Sequence, residues 1–167
     1  KSLAPGTDVQ TFRMSLGGQE SAASMTGALE ALGDCDVLID ATASSEAFNM
    51  IASVATRRNV PMVWAEVFAG GIGGLVARAR PECDPTPLAA RGQIDIWCKD
   101  QGVTWIKPEN PGRYEGQTQD EIPLIADDAD VSVVAAHASR YAIDILARPE
   151  ASIFPMSAYL IGLSSEW

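Results

Sequence analysis

The stretch Asp36-Val37-Leu38-Ile39-Asp40-Ala41-Thr42 decides how this chain is read. Val37-Leu38-Ile39 is a short apolar run bracketed by aspartates, the pattern of a strand buried on both faces of a parallel sheet. Thr42-Ala43-Ser44-Ser45-Glu46 then supplies capping hydroxyls and a first-turn carboxylate, so a helix should follow. Its apolar residues Phe48, Ile51, Val54 and Ala55 recur at helical spacing and should face inward. Asn59 and Pro61 break that helix, and Met62-Val63-Trp64-Ala65-Glu66-Val67-Phe68 reads as a second apolar strand. Strand, helix and strand within about 30 residues make a βαβ unit, whose crossover is right-handed.

Working outward, residues 20–32 place Ala22, Met25, Ala28, Leu29 and Leu32 on one helical face, and Gly33 suits the end of that helix. Downstream, Gly70-Gly71-Ile72-Gly73-Gly74 turns the chain into the alternating run Leu75-Val76-Ala77-Arg78-Ala79-Arg80. A further helix should open at Thr86-Pro87, with Thr as cap and Pro in the first turn, and carry Leu88, Arg91, Ile94, Trp97 and Cys98 on its inner side. Residues 107–119, rich in Pro, Gly, Asn and Gln, read as an exposed loop. A long helix is expected over 130–146, with Val131, Val134, Ala138, Tyr141 and Ile145 on one side, and a last strand at 157–163. The expected strands are thus 36–41, 61–68, 72–79 and 157–163. The fold class is α/β, a mainly parallel sheet flanked by helices. The chain reads as one domain over 1–167, with 80–128 a crossover region holding one helix and an exposed loop. Sheets of this kind bind ligands beyond the carboxyl ends of their strands, here residues 40–44, 68–71 and the loop after Arg80.

Charge and cysteine usage narrow the function. The net charge is −10 over 167 residues, a surface that repels nucleic-acid phosphates and argues against nucleic acid as a partner. Arg57, Arg58, Arg78 and Arg80 read as solvated ends of elements, with a local positive patch as the alternative. No apolar run nears the roughly 20 residues that span a bilayer, so no membrane partner is expected. Cys35, Cys83 and Cys98 lack paired spacing, which fits a reducing, cytoplasmic setting and no disulfide framework. With no Cys-x-x-Cys and His137 the only histidine, no metal site is expected. The chain begins at Lys1 rather than Met, which reads as a piece of something longer.

Several residues invite chemistry. The Gly71 to Val76 run fails the dinucleotide fingerprint at its sixth position and leads into a strand rather than a helix, so a glycine-rich start to that strand is the better reading. His137 among alanines of the long helix reads as packed rather than as a base, and Cys98 beside Trp97 as core. Cys83, in Arg80-Pro81-Glu82-Cys83-Asp84-Pro85, is a weak candidate nucleophile whose acidic neighbours disfavour a thiolate. Asp127, Asp128 and Asp130 open the long helix, where they cap it or, alternatively, hold magnesium.

The same residues carry a resemblance. Asp36 to Thr42, a helix, Val60-Pro61-Met62-Val63-Trp64, a glycine-bearing turn and a strand resemble the second half of the ThiF/HesA/MoeB superfamily, whose strand commonly reads D-x-V-I-D-A-T-D-N. The likeness spans roughly 34–163. Ala77-Arg78-Ala79-Arg80-Pro81-Glu82-Cys83-Asp84-Pro85-Thr86-Pro87 is similar to a stretch of a divergent bacterial branch. The resemblance implies a Rossmann-like domain lacking its nucleotide-binding first half. It further implies part of an enzyme that, with ATP and magnesium, adenylates the C-terminus of a ubiquitin-like or sulfur-carrier protein, as a homodimer. Asp40, Thr42, Ser44, Gly70 and Gly71 would then face the nucleotide or the incoming tail, with Arg78 or Arg80 as weaker contacts. The family's magnesium-associated acid falls at Ala43 and its neighbouring Asn at Ser44, and a methyl group cannot coordinate a hard cation. This piece alone is therefore expected to bind no cofactor and to be inactive. The alternatives are a catalytically degenerate scaffold or dimerisation module and a nicotinamide-dependent oxidoreductase with its cofactor motif upstream.

Overall fold

The computed structural model describes residues 6–13, 16, 21–68, 71–103, 115–117 and 123–163. Its elements run α1 (Ala22–Gly33), β1 (Leu38–Asp40), α2 (Ser45–Arg58), β2 (Met62–Val67), β3 (Gly73–Ala79), α3 (Pro87–Asp100), β4 (Glu115–Gln117), β5 (Pro123–Ile125), α4 (Asp128–Ala147) and β6 (Ala158–Gly162). The helix boundaries follow local chemistry. Ser21, Ser44 and Thr86 cap α1, α2 and α3 through their hydroxyls, and Asn59 ends α2 in the left-handed region at φ 58°.

β1, β2, β3 and β6 form a four-stranded sheet in that order, and β4 with β5 forms a separate two-stranded one. Among the described residues only β1 and β2 run parallel; β2 with β3 and β3 with β6 are antiparallel. The expectation of a mainly parallel sheet is therefore wrong, and the sheet is mixed. The connection from β2 to β3 is short, whereas a parallel return needs a crossover of a dozen or more residues. The strand at 115–117 lies within the stretch expected to be loop.

Alternation along β2 and β3 divides the core. Met62, Trp64, Leu75, Ala77 and Ala79 face Phe48, Ile51, Ala52, Val54 and Ala55 of α2, with Ala90 of α3 beside them. Val63 and Val76 face Val134, Ala138, Tyr141, Ala142 and Ile145 of α4. α1 rests on α2 through the partly buried Leu29 and Leu32, which pack onto the first cluster. α3 turns less of its expected face inward: Pro87, Ala90 and Cys98 are buried, but Leu88 and Trp97 are exposed. Val131, expected on the inner side of α4, is exposed as well.

The arginines also depart from expectation. Arg78 is 1% exposed and its guanidinium donates to Asp144 (3.0 Å), Ser152 Oγ (2.7 Å) and the Phe154 carbonyl (3.0 Å). Arg80 pairs with Asp84 at 2.9 Å. Both are tied into the fold, not solvated.

Candidate functional site

β1 and β2 end together, and the start of β3 lies beside the end of β2 because the two run antiparallel. This end of the sheet forms a rim with two different sides.

The polar side grows out of β1. Asp40 is 5% exposed, and its Oδ1 accepts from the Thr42 N–H (2.9 Å) and the Thr42 hydroxyl (2.7 Å). The Thr42 Oγ1 accepts in turn from the Ser44 N–H at 3.3 Å, and Ser44 Oγ from the Ala47 N–H at 3.3 Å. Asp40 thus builds the turn, while Ser44 caps α2. Between them Ala43 sits at φ 52°, a region that Asp and Asn tolerate better than Ala.

On the same face, Glu66 near the end of β2 pairs with Arg91 of α3 at 2.9 Å. The Arg91 guanidinium stacks over the Phe48 ring at 4.5 Å, and Phe48 meets Trp64 edge to face at 5.5 Å. Burial pushes the Glu66 carboxyl above its ordinary value; the Arg91 charge pulls it back, and the Asp40 and Asp95 carboxylates push it up again. Trp64 Nε1 is buried with no hydrogen-bond partner among the described residues. Neither Glu66 nor Arg91 stood out as a site residue in the sequence. The only signal for Glu66 was a carboxylate inside an apolar strand.

The other side of the rim is apolar. Ile39, Ala41, Ala43, Ala65 and Val67 form one wall of an open groove of about 280 Å³, and Val131, Val134, Ala135, Ala138 and Ser139 of α4 form the other. Ile39 is 55% exposed above it.

Of the residues singled out, Asp40, Thr42 and Ser44 come together on the polar side. Gly71 lies at the start of β3 with φ 67°, and its N–H donates to the Phe68 carbonyl. A Cβ at Gly71 would run into the Asp130 carboxylate, and one at Gly74 would meet a Val134 methyl at 2.5 Å. These glycines let α4 approach the sheet, and the space above them is taken by that helix. Gly70 lies outside the described residues. Cys83 is exposed in the turn after β3. Because β3 is antiparallel to β2, this turn and Arg80 lie at the opposite end of the sheet, about 20 Å from the rim for a strand of this length. The loop after Arg80 is therefore not part of the ligand-facing end.

At the start of α4, Asp127 accepts from the Ala129 and Asp130 N–H groups while Asp130 accepts from the Asp127 N–H. This is a capping box, the reading preferred for that cluster. Among the described residues no three or more His, Cys, Asp or Glu side chains converge as metal ligands would. His137 is half-buried on α4. No helix among the described residues is long and apolar enough to cross a membrane.

No known protein family, no curated protein and no solved structure matches this chain.

Proposed function

We propose that this chain is the C-terminal portion of a ThiF-like adenylating module, and that its rim receives the C-terminal tail of a ubiquitin-like or sulfur-carrier protein. The observation that carries this reading is the outer edge of β1. The Leu38 N–H donates to the Pro61 carbonyl, so Leu38 and Asp40 turn their backbone groups toward β2 and Ile39 turns its own away from the sheet. That edge pairs with no strand among the described residues, and Ile39 is half-exposed over an apolar groove. A further parallel strand laid along β1 would satisfy the Ile39 backbone and cover its side chain. This is where the first half of a Rossmann-like sheet belongs, with the rim at the shared carboxyl ends.

The residues present do not fit a magnesium ion. Ala43 offers a methyl group to the groove where the family carries its acid, and Asp40 Oδ1 is committed to Thr42. What this chain supplies is position: the Asp40 turn fixes the start of α2, and the alanine-lined groove admits an extended tail with small side chains. Ala43 also favours a second reading, a scaffold that has lost catalysis but keeps the sheet and its partner surface.

Two measurements on the full-length protein test the proposal. ATP–pyrophosphate exchange stimulated by a carrier protein supports the enzyme, and its absence with an intact fold leaves the scaffold. Amide hydrogen exchange at Ile39 should be slowed at least tenfold relative to residues 1–167 alone. An Ile39 amide equally open in both would sink the reading that a first half covers β1.

A further inference from the structure

The polar side of the rim gathers more negative charge than the chain itself answers. Alternation puts Asp40, Trp64 and Glu66 on the sheet face that α2 and α3 cover. Trp64 lies in that core cluster, Asp40 stands opposite it on β1, and Glu66 follows it two residues on. From α3, Arg91 reaches Glu66 at 2.9 Å, and Asp95 lies one turn beyond Arg91 on the same helix. Besides burial and the opposing pull of Arg91, the Asp40 and Asp95 carboxylates push the Glu66 carboxyl up, which requires their charges close to it. β1, β2 and α3 thus each present an acid to one place, where Arg91 is the cation that acts on Glu66.

Asp40 gives a separate sign of a missing counterpart. It is 5% exposed, and its Oδ1 takes both Thr42 donors while Oδ2 has no partner among the described residues. The oxygens of a carboxylate so buried are ordinarily met by donors. Nor is Oδ2 sealed off. Among the described residues, the side-chain polar atoms shut away from solvent without a partner are Trp64 Nε1 and Arg78 Nε, so Asp40 Oδ2 is reached from the rim at which β1 ends.

The chemistry of the counterpart follows from the groups present. An anion meets three carboxylates and is repelled. A hard metal ion needs several oxygens converging on one point, and no such convergence exists among the described residues. An organic cation needs none, because carboxylates several ångströms apart attract it directly or through a bridging water. The side chains of Glu66 and Arg91 are 25% and 26% exposed, so their flank is open to a group arriving from solvent.

We propose that Asp40, Glu66 and Asp95 form a binding site for an organic cation, an alkylammonium or alkylguanidinium group that seats beside Arg91. The site stands whether or not the rim receives a carrier tail. A free amine and a basic side chain of an incoming segment present the same group, and the test separates them.

Agmatine and, separately, Nα-acetyl-lysine methylamide would be titrated into the 167-residue chain at low ionic strength, followed by calorimetry. At least one should bind saturably, and its affinity should rise with pH above 4.5 as Glu66 ionises. Glu66→Gln and Asp95→Asn should each weaken binding at least roughly tenfold, while Glu150→Gln, an exposed acid beyond α4, leaves it unchanged. If Glu66→Gln does not fold, Asp95→Asn, at an exposed position of α3, decides the matter. Tighter binding of agmatine marks a free amine as the ligand, and tighter binding of the lysine derivative marks a basic side chain; either supports the site. Saturation by neither probe, an affinity untouched by Asp95→Asn, or equal weakening by Glu150→Gln would overturn it.

Discussion

Ala43 shows how a single residue departs from both its backbone and its surroundings. It occupies the left-handed region at φ 52°, which costs an L-residue with a Cβ about 1 kcal/mol. Ala43→Gly should therefore raise stability by about 0.5–1 kcal/mol, read by urea denaturation. An unchanged or lower midpoint would mean that the methyl contact in the groove outweighs the strain. Asp40 separates two roles in the same way. Asp40→Asn keeps an oxygen for the Thr42 donors and removes only the charge, whereas Asp40→Ala removes the acceptor and should cost about 1 kcal/mol. If Asp40 faces the reacting carboxylate and nucleotide in the full-length protein, Asp40→Asn lowers pyrophosphate exchange at least roughly tenfold, or about 1.4 kcal/mol, with little change in Tm. A variant that exchanges normally but melts lower marks Asp40 as a turn residue alone.

Between elements, the Glu66–Arg91 pair is the ionic tie from β2 to α3. Glu66 has its folded-state value raised above the ordinary 4.5, so the folded chain binds its proton more readily than the unfolded chain does. Stability from this group therefore falls as the pH rises from the ordinary carboxylate value through the raised one. Glu66→Gln should flatten the pH dependence of stability across that window in denaturation curves taken between pH 4.5 and 7; an unaltered slope would show that Arg91 fully offsets the burial. The fit of α4 to β3 rests on small residues. Gly74→Ala would place its methyl within 2.8 Å of the Glu66 carbonyl and closer still to Val134, and should cost about 1–3 kcal/mol in thermal or chemical unfolding.

At the scale of the molecule, Arg78 and Asp144 join three parts that are distant in sequence: β3, α4 and the segment 152–154 that leads to β6. Burial pushes the Asp144 carboxyl up. The Ser152 hydroxyl, the Ile153 N–H, Arg148 and Arg78 outweigh that and hold it below its ordinary 3.8. Arg78→Ala strands a buried carboxylate and should cost about 3–5 kcal/mol, a large share of the stability of a domain this size. Asp84 is shifted down too: burial opposes the shift, but Arg80 and Ser157 outweigh it. For both aspartates the stabilisation is complete above the ordinary value of 3.8 and is lost as the pH falls from there through the lowered folded-state value. Acid unfolding should therefore set in below about pH 4, and Asp84→Asn, less stable at pH 7, should lose less further stability on acidification than the wild type does, read from denaturation curves at pH 7 and pH 3.

Local chemistry settled most of the elements. Hydroxyl caps before apolar periodic runs placed α2 and α3, the bracketed apolar run placed β1, and the aspartates placed the start of α4, because each depends on contacts within a few residues. The short link after Phe68 also contained the antiparallel turn into β3, though the alternation of strands and helices pointed to a parallel sheet. The site was legible only in part. Asp40, Thr42 and Ser44 are neighbours in sequence and stayed neighbours in space. Glu66 and Arg91 meet only because α3 folds back over β2, and Arg78 finds Asp144 across 66 positions of chain. Local periodicity holds no record of such pairs. The direction of β3 likewise decided that Cys83 lies at the far end of the sheet from the rim. Strand direction and burial of charge are set by how elements pack, and packing is a property of the whole chain.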